Sequence, residues 1–131
     1  MKNFIVFIRA SIISAVLLPL FFSGCGMIKI KDGDSLIMDI GDRAVYSCRV
    51  QESVGYTAEF SISSPDVVRH IITVQKHDHP DKMKSGITGS DEATAEFIFE
   101  AVKAGYAEIR ITHLFRGREQ KSEIMRITVT Y

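Results

Sequence analysis

Residues 94–131 read TAEFIFEAVKAGYAEIRITHLFRGREQKSEIMRITVTY, and more than any other stretch they determine the fold class. Apolar residues recur at every second position in three sets. A period of two places each set on one face of a β-strand, where it can be buried against a second layer. The sets are Phe97, Phe99 and Ala101, then Ala107, Ile109 and Ile111, then Met125, Ile127, Val129 and Tyr131. The stretch therefore predicts three consecutive strands.

Two different connections join these strands. The first is the turn Lys103-Ala104-Gly105, in which Gly105 can adopt a positive φ without a Cβ clash. The second is the segment 115–122, FRGREQKS, which is too charged to be buried and too long for a tight hairpin. The sequence thus predicts a scaffold that presents an exposed loop.

The upstream part of the chain adds further short strands. Alternating or β-branched patterns occur at 36–40, 44–50, 58–62 and 67–74, whereas 76–90 is rich in Gly and charged residues and is typical of a loop. No segment has a convincing amphipathic helical period. Seven to eight short strands favour an all-β fold, an immunoglobulin-like β-sandwich. Because the chain has no tryptophan, the Cys…Trp…Cys core of antibody-type domains is excluded.

The first 25 residues carry a targeting pattern. Lys2 and Arg9 precede an apolar run at 10–22, which is shorter than the roughly 20 residues of a spanning helix. The run closes on Phe22-Ser23-Gly24-Cys25, which resembles the lipobox of bacterial lipoproteins. The alternative is ordinary secretion with a chance cysteine.

The lipobox resemblance implies cleavage before Cys25 and acylation of that cysteine. The expected organisation is a lipoprotein signal peptide at 1–24, a lipid-anchored tether at 25–34 and an immunoglobulin-like domain at 35–131. The protein would be exported and anchored in the bacterial cell envelope. Gly26 is not the aspartate that retains lipoproteins on the inner membrane of enteric bacteria, so the outer membrane or cell surface is favoured.

Charge and cysteine content limit the functions and partners that we expect for the chain. Without Lys2 and Arg9, 14 of the 16 basic residues remain against 16 acidic residues, a net charge of −2. This balance gives no basic face for nucleic acid, which we do not expect as a partner. With Cys25 acylated, Cys48 has no intramolecular partner, and its place on the apolar face of a strand is typical of a small buried hydrophobe.

Residues that could carry catalysis or bind a metal are few. His77, Asp78, His79 and Asp81 offer ligands, but adjacent positions in one loop fix no tetrahedral geometry. We therefore expect no metal site and no cofactor. No base is placed near a nucleophile by the sequence, so an enzyme is not expected.

Several short motifs between 36 and 131 have the order found in the chagasin-like inhibitors of papain-type cysteine peptidases. They are Gly41-Asp42, Gly55-Tyr56, Gly89, Phe97-Ile98-Phe99, Ala101-Val102-Lys103-Ala104-Gly105 and Ile127-Thr128-Val129-Thr130. The chain resembles this family, whose members are small immunoglobulin-like proteins. The resemblance implies a monomer whose partner is a papain-type cysteine peptidase.

In that family three loops at one end of the sandwich enter the active-site cleft, and the loop ending in Gly-Tyr lies across the catalytic cysteine. Carried over by position, the peptidase-contact residues are Val54, Gly55 and Tyr56 in the first loop, Gly86, Ile87, Thr88 and Gly89 in the second, and Arg116, Gly117 and Arg118 in the third. The alternatives to peptidase contact are a solvent-exposed hairpin tip for the two arginines and a position that caps the core for Tyr56.

The third loop departs from the family pattern. Arg116 matches, but Gly117 and Arg118 stand where the family has Pro and Trp. Two functions from different classes follow. One is a lipid-anchored inhibitor of papain-family peptidases that blocks the cleft with three loops. The other is a non-inhibitory immunoglobulin-like module for binding or adhesion at the surface or in the periplasm.

Overall fold

Eight strands form two facing β-sheets in the computed structural model, which describes residues 26–131. The strands are β1 (Met27–Lys29), β2 (Ser35–Asp39), β3 (Arg43–Val50), β4 (Tyr56–Ile62), β5 (Val68–His77), β6 (Ala93–Ala101), β7 (Gly105–Phe115) and β8 (Arg118–Thr130). One sheet has the order β1-β3-β6-β5 and the other β2-β8-β7-β4. The predicted immunoglobulin-like sandwich is confirmed, whereas the predicted signal peptide and Cys25 lie outside the described residues.

The core lies between the two sheets and is built from the alternating sets that the sequence predicts. Burial alternates along the whole of β6, and Phe99, Ile109 and Ile127 have no solvent-exposed surface. Burying one such side chain stabilises the fold by about 1.5–3 kcal/mol. Tyr131 is the exception, since it follows the end of β8 and is fully exposed.

The pairing directions divide the connections between two ends of the sandwich. β3 and β5 both run antiparallel to β6, and β7 runs antiparallel to β4 and β8. The connections 51–55, 78–92 and 116–117 therefore lie at one end, called here the loop end. The connections 40–42, 63–67 and 102–104 lie at the opposite end, called here the base.

The segment 115–122 is not the long loop that its charge suggests, and that prediction is wrong. Phe115 pairs with Arg118, so the connection is a two-residue turn formed by Arg116 and Gly117, with φ values of 50° and 79°. Two consecutive positive φ values are typical of a type I′ turn, whose twist matches that of a hairpin. The charged side chains of this segment are nonetheless exposed, as the sequence predicts.

Two other segments also contain more structure than expected. Within the predicted tether, β1 pairs in parallel with β3, and Ile30 is only 5% exposed. The predicted loop at 76–90 starts with the last residues of β5 and contains a short helix, α1 (Pro80–Lys84). Pro80 favours the first helical turn, and Gly86 at φ 73° follows the helix end. Within residues 26–131 no helix is long and apolar enough to cross a membrane.

Candidate interaction site at the loop end

The first loop is a closed turn between β3 and β4. The Gln51 N–H donates to the Tyr56 carbonyl at 2.9 Å, and the Tyr56 N–H donates back at 3.0 Å. Inside this ring the Gly55 N–H donates to the Gln51 carbonyl at 3.1 Å. Gly55 has a φ of 105°, a conformation that residues with a Cβ rarely adopt. The turn therefore depends on glycine at this position.

The third loop packs against the first. The Arg116 N–H donates to the Gly55 carbonyl at 2.8 Å, and a Cβ on Gly55 would lie only 2.7 Å from Arg116 Cγ. Tyr56 packs on Phe115 with ring centroids 4.7 Å apart, and the Arg116 guanidinium lies 5.1 Å from the Phe115 centroid. Backbone, aromatic and cation–π contacts thus join the two loops.

The second loop contacts the first from the other side. Gln51 Nε2 donates to the Gly89 carbonyl at 2.9 Å. The Ser53 N–H donates to Asp91 Oδ2 at 2.8 Å, and the Ser53 hydroxyl donates to Oδ1 of the same carboxylate. These hydrogen bonds from Ser53 hold the pKa of Asp91 below its ordinary value. The first loop is therefore braced on both flanks.

The second loop is also held internally. Ser90 is buried, and its Oγ donates to the Ile87 carbonyl at 2.6 Å, which closes a turn around Gly89. Ile87 itself is 53% exposed and points its apolar surface outward. A shallow groove of about 330 Å³ separates this turn from Ser53.

Apolar side chains reach solvent on top of the braced loops. Val54, Tyr56 and Ile87 are exposed, and Met83 of α1 is exposed beside them. Arg116 and Arg118 are exposed on the side of the third loop. The arrangement can fill a concave partner surface with apolar contacts and can pair with carboxylates.

All three predicted loops thus lie at the loop end, where hydrogen bonds join the first loop to the other two. Sequence reasoning did not foresee the bracing contacts, which are made by Gln51, Ser53, Asp91 and Phe115. Their partners are up to 59 positions away along the chain. Before the structure, only the family resemblance, which aligns Gly55-Tyr56 and Gly89 with two loops of the same site, could have indicated that the first two loops meet.

A half-buried polar cluster joins the sheets farther from the loop end. Tyr46 on β3 donates to Glu123 Oε2 at 2.5 Å, and His113 Nε2 lies 3.0 Å from the Tyr46 hydroxyl. Burial and the neighbouring Glu123 raise the pKa of Tyr46. Burial raises the pKa of Glu123, but hydrogen bonds from Tyr46 and Lys121 outweigh this and leave it below the ordinary value. The cluster fixes the relative position of the two sheets.

The remaining candidates for chemistry are Cys48 and the histidines and aspartates at 77–81. Burial, and then the charge of Glu123, raise the pKa of Cys48 to about 11, so its thiol stays protonated at neutral pH. Asp78 pairs with Arg49 rather than with a neighbouring histidine. Across residues 26–131, His, Cys, Asp and Glu side chains form no group of three that could hold a metal ion.

The sequence matches no protein-family model and no curated protein. Solved structures do match. The cysteine protease inhibitor EhICP2 from Entamoeba histolytica has a TM-score of 0.62 at 20% identity, covering 79% of this chain and 94% of its own. Amebosin has a TM-score of 0.60 at 12% identity, covering 79% and 96%. PbICP-C in complex with falcipain-2 has a TM-score of 0.49 at 11% identity, covering 82% and 92%.

At such low identity the likeness is one of fold. The described part of the chain has the chagasin-like immunoglobulin fold.

Proposed function

We propose that the protein is a lipid-anchored inhibitor of papain-family cysteine peptidases that inserts its loop end into the active-site cleft. One observation carries the proposal. The first loop, which the family resemblance assigns to the catalytic cysteine, is hydrogen-bonded to the second loop through Asp91 and to the third through Arg116. Three separate connections therefore present one continuous surface.

Inhibition of this kind needs no catalytic group, so it depends on the shape and rigidity of the loops. The bracing contacts supply that rigidity. A wedge of backbone and apolar side chains has to fill the cleft without offering a bond in cleavable geometry. Loops that are ordered before binding lose less conformational entropy in the complex, which raises affinity. Val54 and Ile87 would supply apolar contacts, and Arg116 and Arg118 would pair with carboxylates at the rim.

The fold supports the same target class. EhICP2, which is described as a cysteine protease inhibitor, shares this sandwich over 94% of its own length.

The third loop differs from the family pattern by more than side-chain identity. Gly117 lies at φ 79°, whereas proline is restricted to about −65°. We infer that this chain uses a tight Arg-Gly hairpin in place of the family's Arg-Pro-Trp loop.

The anchor belongs to the same proposal. Acylation of Cys25 would hold the inhibitor in the cell envelope, with the outer membrane or cell surface favoured, where it would meet co-exported or foreign peptidases. Mass spectrometry of the membrane fraction tests this step. An unmodified Cys25 thiol, or membrane retention unchanged by Cys25→Ser, would contradict it.

The inhibition is tested by titrating papain and a cathepsin L-type enzyme with residues 26–131. We expect stoichiometric inhibition with a Kd between about 1 nM and a few micromolar, within the range of rigid loop inhibitors. Arg116→Ala should weaken inhibition, whereas Arg69→Ala, an exposed arginine of β5 near the base, should not. A folded domain that leaves both enzymes active at about 100 µM would argue against the proposal and favour the non-inhibitory binding module.

A further inference from the structure

The chain enters the sandwich at the base, opposite the candidate inhibitory loops. β1 runs parallel to β3, and Met27 pairs with Arg43, the first residue of that strand. β3 then runs away from this point and ends at Val50, directly before the first loop. Eight residues at about 3.3 Å each separate the two ends by about 26 Å.

The connection between the predicted acylation site and the folded domain is short. Cys25 and Met27 are two positions apart, and two residues span at most about 7 Å. An acylated Cys25 would therefore hold the start of β1 close to the lipid headgroups. The domain then has little freedom to turn its loop end toward the membrane.

The base carries an exposed apolar surface that suits this position. Met27 is 48% exposed, Ile40 is 47% exposed and Val102 is 38% exposed, and the fully exposed ring of Tyr131 lies at the same end. Hydrogen bonds bring Ile40, Val102 and Tyr131 to the same end, because the Ile40 N–H donates to the Thr130 carbonyl and the Gly41 N–H donates to the Ala101 carbonyl. Met27 lies at this end because it pairs with Arg43. Tyrosine and aliphatic side chains are the types that favour the membrane interface.

Several basic side chains at the base lie beside carboxylates of the same end. Arg43 and Arg69 each lie 3.3 Å from the carboxylate of Glu100, and Lys103 lies 3.9 Å from Asp66. The base therefore has no uncompensated basic cluster for anionic lipid. Apolar contact with the membrane interface, strengthened by the acyl chains, would dominate membrane binding. A bilayer of neutral lipid should therefore suffice to bind the base.

We propose that the base of the sandwich rests on the surface of a lipid bilayer and that the three loops project away from it. The occupant of this apolar surface is the membrane in which Cys25 is anchored. The inference rests on the lipid anchor of the proposed function but not on peptidase inhibition. It implies that the partner approaches from the aqueous side, with its cleft facing the membrane from about 26 Å above the base.

Tryptophan fluorescence can test this orientation, because the chain contains no tryptophan of its own. Val102 at the base and Val54 at the loop end form a matched pair, since each is 38% exposed. The full-length acylated variants Val102→Trp and Val54→Trp are reconstituted in neutral phosphatidylcholine vesicles with brominated acyl chains. Emission of Val102→Trp should fall about twofold relative to unbrominated vesicles, since bromine quenches only an indole near the acyl chains. Emission of Val54→Trp should not change.

Flotation of the vesicles separates the possible failures. If the protein floats but Val102→Trp is unquenched, or if Val54→Trp is quenched equally, the orientation is overturned and the anchor stands. If the acylated preparation does not float, the anchor and the orientation both fall. Titration of a peptidase with the same vesicles reports on inhibition independently, so loss of inhibitory function would not be mistaken for a wrong orientation.

Discussion

Gly55 is the residue on which the candidate site depends most directly. Its positive φ closes the first loop, and its missing Cβ leaves room for Arg116. We predict that Gly55→Ala lowers the free energy of unfolding by about 1–3 kcal/mol, because backbone strain adds to a steric clash. Displacement of the first loop should also weaken peptidase inhibition at least about tenfold, which corresponds to 1.4 kcal/mol of binding. Urea unfolding and inhibition titrations measure the two effects.

Gly41→Ala is the matched control for this substitution. Gly41 has a similar φ of 95°, but it lies at the base and a Cβ there would meet no atom within 4 Å. Its substitution should cost only the backbone strain and should leave inhibition unchanged. Equal losses of inhibition in the two variants would show that the effect reports general destabilisation rather than the loop contact.

The role of Tyr46 is in the stability of the fold rather than in binding. Its ring is 4% exposed, and its hydroxyl bridges the two sheets through Glu123 and His113. Tyr46→Phe leaves the half-buried carboxylate without one of its donors, so we predict a loss of about 1–2 kcal/mol in the free energy of unfolding. Urea unfolding at neutral pH provides the measurement.

Tyr106→Phe provides the comparison for Tyr46. Tyr106 also donates to a glutamate, Glu108, at 2.9 Å, but its side chain is 49% exposed and water can replace the hydroxyl. Its loss should change stability by less than about 0.5 kcal/mol. If the two variants were equally stable, the inter-sheet hydrogen bond would have no net stabilising role.

At the scale of elements, the contact between the first and second loops depends on the charge of Asp91. Hydrogen bonds from Ser53 favour the carboxylate, so the pKa of Asp91 in the folded protein lies below the ordinary 3.8. A lowered pKa means that this stabilisation is complete above 3.8 and is lost as the pH falls through the folded-state value. We predict that the Ser53 amide resonance titrates with a midpoint below 3.8 in an NMR series from neutral to acidic pH.

Asp91→Asn tests the same contact without acid. The variant should abolish the titration of the Ser53 amide and weaken inhibition about fivefold to tenfold, because a charge-assisted hydrogen bond is replaced by a neutral one. Loss of the titration with full inhibition would mean that the first loop does not need this brace. A midpoint at or above 3.8 would contradict the hydrogen-bonded geometry itself.

At the scale of the whole molecule, the sequence predicted the two-sheet architecture and the core better than it predicted the connections and the contacts between the sheets. Period-two patterns placed Phe99, Ile109 and Ile127 in the core, since alternation is a local signal that burial then preserves. The inter-sheet cluster could not be predicted, because Tyr46 meets His113 and Glu123 across 67 and 77 positions. The hairpin tip was misjudged because charge predicts exposure and not the absence of strand pairing.

The location of the candidate loops followed from the family resemblance, whereas the bracing of those loops did not. Motif matching aligned the glycines of the second loop but gave no reason to select Asp91, which lies just beyond them. The short elements α1 and β1 were not predicted for a related reason. α1 buries no residue, so it leaves no amphipathic pattern, and β1 has only three residues.

The segment 26–34 shows why the predicted boundary at residue 35 needs a direct test. β1 pairs with β3 of one sheet, and the Ile30 N–H donates to the Val45 carbonyl at 3.0 Å. A few residues later the chain contacts β8 of the other sheet, where the Gly33 N–H donates to the Ile124 carbonyl at 3.0 Å. The segment therefore joins one edge of both sheets.

We predict that residues 35–131 unfold at a lower urea concentration than residues 26–131. The loss should exceed that of Ile30→Ala in the longer chain, which removes only the buried side chain at a cost of about 2–4 kcal/mol. The additional loss would come from the backbone hydrogen bonds of β1, Gly33 and Asp34, and from the bond that the Ile124 N–H donates to the Asp32 carboxylate. Equal unfolding midpoints for the two lengths would instead make 26–34 part of the predicted tether at 25–34, and would remove the short connection that holds the base near the lipid.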